Sequence, residues 1–368
     1  VKMAPVIKAL RRESWAVVDV VSTGQHRELV HQTMGLFEIG IDYDLDVMQH
    51  NQSLAGLSGR IFSRLDEVLG KVEYDLVLVQ GDTTSVMIAS LAAFYRQIPV
   101  GHVEAGLRTH DLSKPFPEEL NRRVTGLVTK LHFAPTVRAQ RNLINERVDA
   151  DTIHVTGNTV IDALLEFAGR PNNCPYPKRD GGRLVLVTAH RRENFGEPIT
   201  NICHAISALH DANPDVEFVY PVHPNPNISV PVNRYLSDLD RVHLLPPVDY
   251  LTLVGLLARA DLVLTDSGGI QEEAPALAKP VLVLREETER PEAVEAGVAR
   301  LIGTDRTGVY DAVTELLSNE LVYRKMARGG SPYGDGHASQ RIAKICREYF
   351  GSDVHQLQGL QSNELELR

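Results

Sequence analysis

Thr265–Glu292 reads TDSGGIQEEAPALAKPVLVLREETERPE, and the fold turns on this stretch. An apolar run of strand type, Asp261–Thr265, stops at Asp266-Ser267-Gly268-Gly269. A helix-like segment opens with Gln271-Glu272-Glu273, and a second apolar strand, Pro280–Leu284, ends in a charged loop carrying Arg285 and Arg290. Strand, glycine turn, helix and strand in this order make a βαβ unit. Glycines at the turn let the backbone approach a ligand, and a helix N-terminus offers N–H groups to an anion. The bland alternative is a Gly-Gly turn for tight packing, with Glu272 and Glu273 offsetting the helix dipole. Glu289-Arg290-Pro291-Glu292 downstream favours a grip on a phosphorylated ligand.

The same alternation runs outward through the chain. Strands are expected at Ala16–Ser22, Tyr74–Gln80, Ile98–Val103, Leu131–Ala134 and Thr152–Thr156. After a break they resume at Leu184–Ala189, Val216–Val222, Arg241–Leu245, Asp261–Thr265, Pro280–Leu284 and Ala299–Gly303. Most are continuous apolar runs, the mark of a parallel sheet covered on both faces. Helical patterns such as Thr83–Tyr95, Glu118–Leu127 and Ile199–His210 lie between them. The expectation is an α/β protein of two doubly wound, Rossmann-like domains facing a central cleft. Residues 1–168 form the first, 169–182 a Pro/Gly/Asn-rich linker, and 183–335 the second. A last helix is expected over 336–350 and a flexible polar tail over 351–368. The chain enters directly on helix-like sequence, Val1-Lys2-Met3-Ala4-Pro5, where such a domain opens with a strand. Upstream residues are therefore expected to belong to the protein.

At 368 residues the length suits two cores, and 43% hydrophobic with 23% charged residues is ordinary globular composition. A net charge of −10 argues against nucleic acid or an acidic membrane surface as partner. An anionic ligand would need a local cationic pocket. Cys174, Cys203 and Cys346 show no paired spacing, which points to a reducing, cytoplasmic setting and away from disulfides or a metal site. No apolar run approaches a membrane span.

Three carboxylates fall at strand ends or helix starts in the first domain. Asp82, in Gly81-Asp82-Thr83-Thr84-Ser85, reads as either an N-cap or an acid/base group. Glu104 directly follows the Ile98–Val103 run between small residues, a place with few structural excuses. Glu118, in Pro115-Phe116-Pro117-Glu118-Glu119, serves a helix dipole or chemistry equally well. Several carboxylates at one sheet edge suit proton transfer, because their surroundings push pKa values apart. The second domain offers cations: His190 and Arg191 follow Leu184–Ala189, and His223 ends a later strand. No Walker A loop, GxGxxG fingerprint, GxSxG elbow or HExxH motif is present. Acids on one domain and a phosphate grip on the other suggest a nucleotide sugar.

The ordered set Glu104-Ala105-Gly106-Leu107-Arg108-Thr109, Pro117-Glu118-Glu119, Gly157-Asn158-Thr159, His190-Arg191-Arg192-Glu193, Asp266–Glu273, Glu289-Arg290-Pro291-Glu292 and Pro332-Tyr333-Gly334-Asp335-Gly336 resembles the non-hydrolysing UDP-N-acetylglucosamine 2-epimerases. The resemblance runs from Val1 to about Arg347. It implies glycosyltransferase-B architecture, a last helix that crosses back to the first domain, and a homodimer. It implies interconversion of UDP-GlcNAc and UDP-ManNAc with no added cofactor and no metal, for cell-surface polysaccharide synthesis. The route would be anti elimination of UDP, a 2-acetamidoglucal intermediate and re-addition of UDP.

On matched positions, Asp82, Glu104 and Glu118 are the implied acid/base groups, with His190 near the diphosphate. Ser267, Gly268 and Gly269 would hold phosphate, Glu273 the ribose hydroxyls, Arg290 the UDP, and the loop Val248 to Leu253 the uracil. Lys2 matches the lysine that follows the family's Gly-Thr-Arg-Pro-Glu motif, which this sequence does not contain. Gln25, Arg64, Arg191 and His223 match a second, activating UDP-GlcNAc site. The rival readings are a UDP-sugar glycosyltransferase of the same architecture, a hydrolysing epimerase and a non-catalytic UDP-sugar binder.

Overall fold

A computed structural model describes residues 1–24, 27–49, 52–169, 181–328 and 330–365, the side chains at 27–29, 31 and 352–365 excepted. Gln25, Cys174 and nearly all of the expected linker lie outside the described residues. The chain divides into two compact units, Val1–Ala163 with Gly336–Arg368, and Leu164–Asp335. The division falls inside the helix Thr159–Ala168.

The first unit carries β1 (Val21–Ser22) paired with β2 (Tyr43–Asp44), and a four-stranded sheet of β3 (Val77–Gln80), β4 (Val100–Val103), β5 (Leu131–Ala134) and β6 (Ile153–Val155). All pairings are parallel. The strand expected over Ala16–Ser22 is confined to Val21–Ser22, because its partner segment supplies only Tyr43 and Asp44 to the ladder. Just ahead of it, Asp42 accepts from the Val20 amide at 2.8 Å.

Two apolar layers cover the unit's sheets. Leu57, Ile61 and Leu65 of one helix and Ala92 and Ala93 of another pack with Val79 and Val100. Val6 and Leu10 of the helix Ala4–Arg11 and Ile342, Ala343 and Cys346 of the final helix pack with Val103, Leu131 and Phe133. That burial explains why the end of the chain returns to the first unit. Its start is capped by Asp162, whose carboxylate accepts from the Ala338 and Ser339 amides at 3.2 and 2.7 Å and from the Ser339 hydroxyl at 2.6 Å.

The final helix spans Ala338–Leu365. The sequence reading ended it at 350 and assigned a flexible polar tail over 351–368. Gly351–Leu365 instead continues the helix, consistent with its Leu, Gln and Glu content and its lack of proline.

The second unit is one six-stranded parallel sheet built from β7 (Arg183–Thr188), β8 (Val216–Pro221), β9 (Val242–Leu245), β10 (Leu262–Thr265), β11 (Val281–Val283) and β12 (Ala299–Leu301), in the order β12-β11-β10-β7-β8-β9. The chain leaves β7 towards β9, then returns to add β10 on the other side. The C-terminal ends of β7 and β10 therefore bound a topological switch point, where open α/β sheets bind ligands. Buried Val185, Val187, Phe218, Leu264 and Leu282 form the sheet's contribution to a core completed by Ile202, Ile206 and Val313 from helices.

Candidate active site

In the first unit the three carboxylates come from the ends of β3 and β4 and the next helix start. Glu104 leaves β4 with φ 67°, a left-handed conformation that a non-glycine side chain adopts only under tertiary constraint. The constraint is visible on both sides: the Gly81 amide donates to Val103 O at 3.1 Å and the Ala105 amide to Phe133 O at 3.1 Å. The kink turns Glu104 out of the ladder, where it accepts from Lys2 Nζ, from Gln80 Nε2 at 2.5 Å and from Asn158 Nδ2 at 3.2 Å. An ammonium and two amides are the partners of an ionised carboxylate.

Asp82 does not cap the helix Thr84–Tyr95. Thr83 does, accepting from the Val86 amide. The N-cap alternative for Asp82 is thereby removed. Its carboxylate instead takes Arg122 Nη2 at 2.6 Å, while Asn121 Nδ2 holds its backbone carbonyl at 2.9 Å. Burial pushes the Asp82 pKa up, Arg122 pulls it down, and the negative charges of Glu104 and Glu118 add to the rise. Glu104 and Glu118 thus both sit within electrostatic reach of Asp82.

Glu118 and Glu119 divide the two roles open to that helix start. Glu119 is fully buried and structural: it accepts from the Thr109 and His110 amides and pairs with Arg122 and Arg123. Glu118 Oε2 is buried without a hydrogen-bond partner among the described residues.

Two supporting residues escaped the sequence reading. Arg122 lies one helical turn after Glu118 and Glu119, and that i,i+3/i,i+4 spacing was its available signal. His102 is buried in β4, with Nε2 2.7 Å from Gly81 O and its pKa lowered by burial to about 4. It ties the Asp82 turn to the Glu104 strand as a neutral group, and an apolar run gave no hint of that.

In the second unit the anion turn differs from expectation in one respect. The helix after β10 is Gly268–Ala276, with Ser267 at the N-cap. The two glycines therefore occupy its first turn, and Glu272 and Glu273 come a turn later than the sequence suggested. Both are buried, and neither lies in the first turn, where the dipole would be offset. Glu272 pairs with Arg290 Nε, and Glu273 accepts from Tyr250 Oη at 3.0 Å. First-turn N–H groups have no intrahelical acceptor, and the Ser267 hydroxyl makes no capping bond.

Arg290 is steadied by Thr288, which receives its amide at 3.0 Å and donates to Gln271 Oε1 at 2.6 Å. Val248 precedes the helix Tyr250–Arg259, and Leu253 is in its first turn. The open loop expected there is a capped helix start, with Asp249 taking the Thr252 amide at 2.7 Å and the Leu253 amide at 3.0 Å.

His190 and Arg191 follow β7 across the switch point from the glycine turn. The buried Asp266 carboxylate accepts from their amides at 2.7 and 2.8 Å. The His190 ring stacks on His223, centroids 5.8 Å apart, and Arg191 pairs with Glu289 at 3.5 Å. Arg64, in the first unit, holds the carbonyls of Leu45 and Asp46. Among the described residues no helix is long and apolar enough to cross a membrane, and no group of three His, Cys, Asp or Glu is arranged for a metal. Burial raises the thiol pKa of Cys203 and Cys346 to about 12.

Two Rossmann-like parallel units, one with grouped carboxylates and one with a glycine turn at its switch point, define an α/β protein of glycosyltransferase-B-like class. Residues 8–347 match the family pattern described as UDP-N-acetylglucosamine 2-epimerase. The chain is 51% identical over 360 residues to a probable UDP-N-acetylglucosamine 2-epimerase of Ralstonia nicotianae, covering 95% of this chain and 96% of that one. It is 49% identical to the UDP-N-acetylglucosamine 2-epimerase of Escherichia coli K12, covering 94% and 95%. The crystal structure of the Neisseria meningitidis UDP-GlcNAc 2-epimerase bound to UDP-GlcNAc superposes with a TM-score of 0.86 at 47% identity, covering 94% and 96%. The chain belongs to the UDP-N-acetylglucosamine 2-epimerase family and is an isomerase.

Proposed function

We propose that this enzyme interconverts UDP-GlcNAc and UDP-ManNAc by inverting C2 of the sugar. The C2 proton is removed as UDP departs anti to it. The 2-acetamidoglucal formed is protonated at C2 on the opposite face, and UDP returns to C1. The C2–H is not acidic, so departure of the diphosphate drives the step and cations must receive its charge. Asp82, Glu104 and Glu118 carry the protons, with Lys2 held on Glu104. Ser267, Gly268 and Gly269 take phosphate, His190 and Arg290 the diphosphate charge, Glu273 the ribose, and the Val248–Leu253 segment the uracil. Arg64, Arg191 and His223, with Gln25, are assigned to a second, activating UDP-GlcNAc.

The observation that carries this reading is the Asp82–Glu104–Glu118 group. Sugar transfer from a UDP donor has no need of three interacting acids, whereas proton removal on one face and delivery on the other uses them directly. Product enters cell-surface polysaccharide synthesis from the cytoplasm. A homodimer completes the reading: Phe94 and Tyr95 on one helix and Leu120 and Leu127 on the helix packed beside it expose an apolar face suited to a second copy. Sedimentation equilibrium tests that point.

Incubation with UDP-GlcNAc in D₂O, followed by NMR, tests the reaction. Deuterium at C2 together with UDP-ManNAc is the expected result. Free ManNAc would identify hydrolysis, and absence of exchange would refute the proposal.

A further inference from the structure

Asp266 stands at the centre of the second unit's switch point, yet only one of its oxygens is used. The residue is 0% exposed. Oδ2 accepts three hydrogen bonds, from the His190 amide at 2.7 Å, the Arg191 amide at 2.8 Å and Asn194 Nδ2 at 2.9 Å. Oδ1 is buried and has no hydrogen-bond partner among the described residues. A buried carboxylate oxygen without a donor is costly, and a native fold keeps one where a partner will arrive. A basic atom, Nδ1 of His190, lies 3.6 Å away on a side chain that is 44% exposed. The gap is too long for a hydrogen bond and is closed by a small rotation of the ring.

The surroundings define that rotation. The imidazole of His190 lies nearly parallel to that of His223, at an interplanar angle of 16° with centroids 5.8 Å apart, and a rotation in its own plane keeps that arrangement. His223 is itself fixed, because its Nδ1 accepts from the Asn225 amide at 3.1 Å. The backbone of His190 is pinned by the same carboxylate that its side chain faces. The residue that follows β10 thus holds the β7 turn by the main chain and stands ready to hold its side chain.

We infer that Asp266 is a positioning residue for His190. Its Oδ1 takes the Nδ1–H when the ring closes onto it, and the opposite nitrogen, Nε2, is thereby aimed outward as the donor to phosphoryl oxygens. This rests on the assignment of His190 to the diphosphate, and the test separates the two.

Nitrogen-15 NMR of the histidine side chains in the full chain with UDP reads the ring directly, with His190→Asn supplying the assignment. Nδ1 of His190 is expected protonated and hydrogen-bonded; an unprotonated Nδ1 overturns the inference whatever the variants do. Asp266→Asn keeps an oxygen for the three donors and places an amide N–H where Oδ1 was, so Nδ1 becomes an acceptor. Its kcat is expected to fall about 100-fold with KM changed less than about threefold, the scale of a misplaced catalytic group. In the His190→Asn background the same substitution is expected to cost nothing further, because it acts through the ring. Multiplicative losses in the double variant would make Asp266 merely structural and refute the inference. Full activity of His190→Asn alone would instead remove the assignment of His190 itself.

Discussion

Arg122 Nη2 lies 2.6 Å from Asp82 Oδ2, and the same guanidinium reaches Glu119 Oε2 at 3.4 Å. One cation therefore serves both a carboxylate that we assign to proton transfer and a fully buried one that holds the loop at Thr109 and His110. Arg122 opposes the rise that burial and Glu104 impose on the Asp82 pKa.

Replacing Arg122 with methionine should have two consequences. The Asp82 pKa should rise further, visible as a shift of its carboxyl ¹³C titration to higher pH. Stability should fall by about 3 kcal/mol, because a buried charge loses its partner. Urea unfolding checks the second effect. An unchanged Asp82 titration would show that the ion pair does not govern that carboxylate.

Glu104→Gln should preserve the shape of the kinked strand end while removing a carboxylate that we assign to proton transfer. The amide keeps an oxygen for Lys2 and Asn158, which both donate to Oε1, while Gln80 faces the NH2 that replaces Oε2. Exchange of deuterium into C2 should fall by at least about 100-fold, the usual scale for loss of a general acid or base. UDP affinity, measured by calorimetry, should change little. A variant that exchanges at the wild-type rate would take Glu104 out of the chemistry.

His102 makes an acid-stability prediction whose sign is fixed. Its pKa falls from an ordinary 6.5 to about 4 on folding, through burial. Between those values the unfolded chain binds a proton that the folded chain refuses, so stability present above pH 6.5 is lost as pH falls towards 4. The loss attributable to this group is about 3 kcal/mol. His102→Gln keeps a donor for Gly81 O but does not titrate. Urea midpoints at pH 7 and pH 4 should show a smaller acid loss in the variant; parallel curves would contradict the assignment. His132 and His154, also lowered by burial, are common to both proteins and cancel in the comparison.

Gly106→Ala should be strongly destabilising. The residue has φ +87°, and an added Cβ would lie 2.3 Å from the Ala139 carbonyl oxygen, a backbone atom. Left-handed strain and a main-chain clash together should cost about 3 kcal/mol or more. Loss of soluble protein or a clearly lowered melting temperature is expected. A melting temperature within a degree of the wild type would mean that the turn is not constrained as described.

Much of this protein was legible before any coordinates. Continuous apolar runs separated by amphipathic stretches dictate parallel strands and covering helices, because backbone hydrogen bonding and burial leave a parallel sheet little choice. The end of each strand then names candidate ligand-facing residues, and Glu104, His190 and the Asp266–Gly269 turn were singled out in that way.

The sequence could not reveal what depends on approach in space. Thr83 takes the capping role open to Asp82 because its hydroxyl, one residue nearer the helix, reaches the Val86 amide. Glu272 and Glu273 are buried against Arg290 and Tyr250, residues distant in the chain. The left-handed turn at Glu104 is imposed by β3 and β5, not by its own preference. Local pattern determined which elements form and where their ends lie. Only the packed structure decided which carboxylates keep structural partners and which one, like Asp266, retains a buried oxygen in reserve, because desolvation and hydrogen-bond satisfaction are properties of neighbours rather than of sequence position.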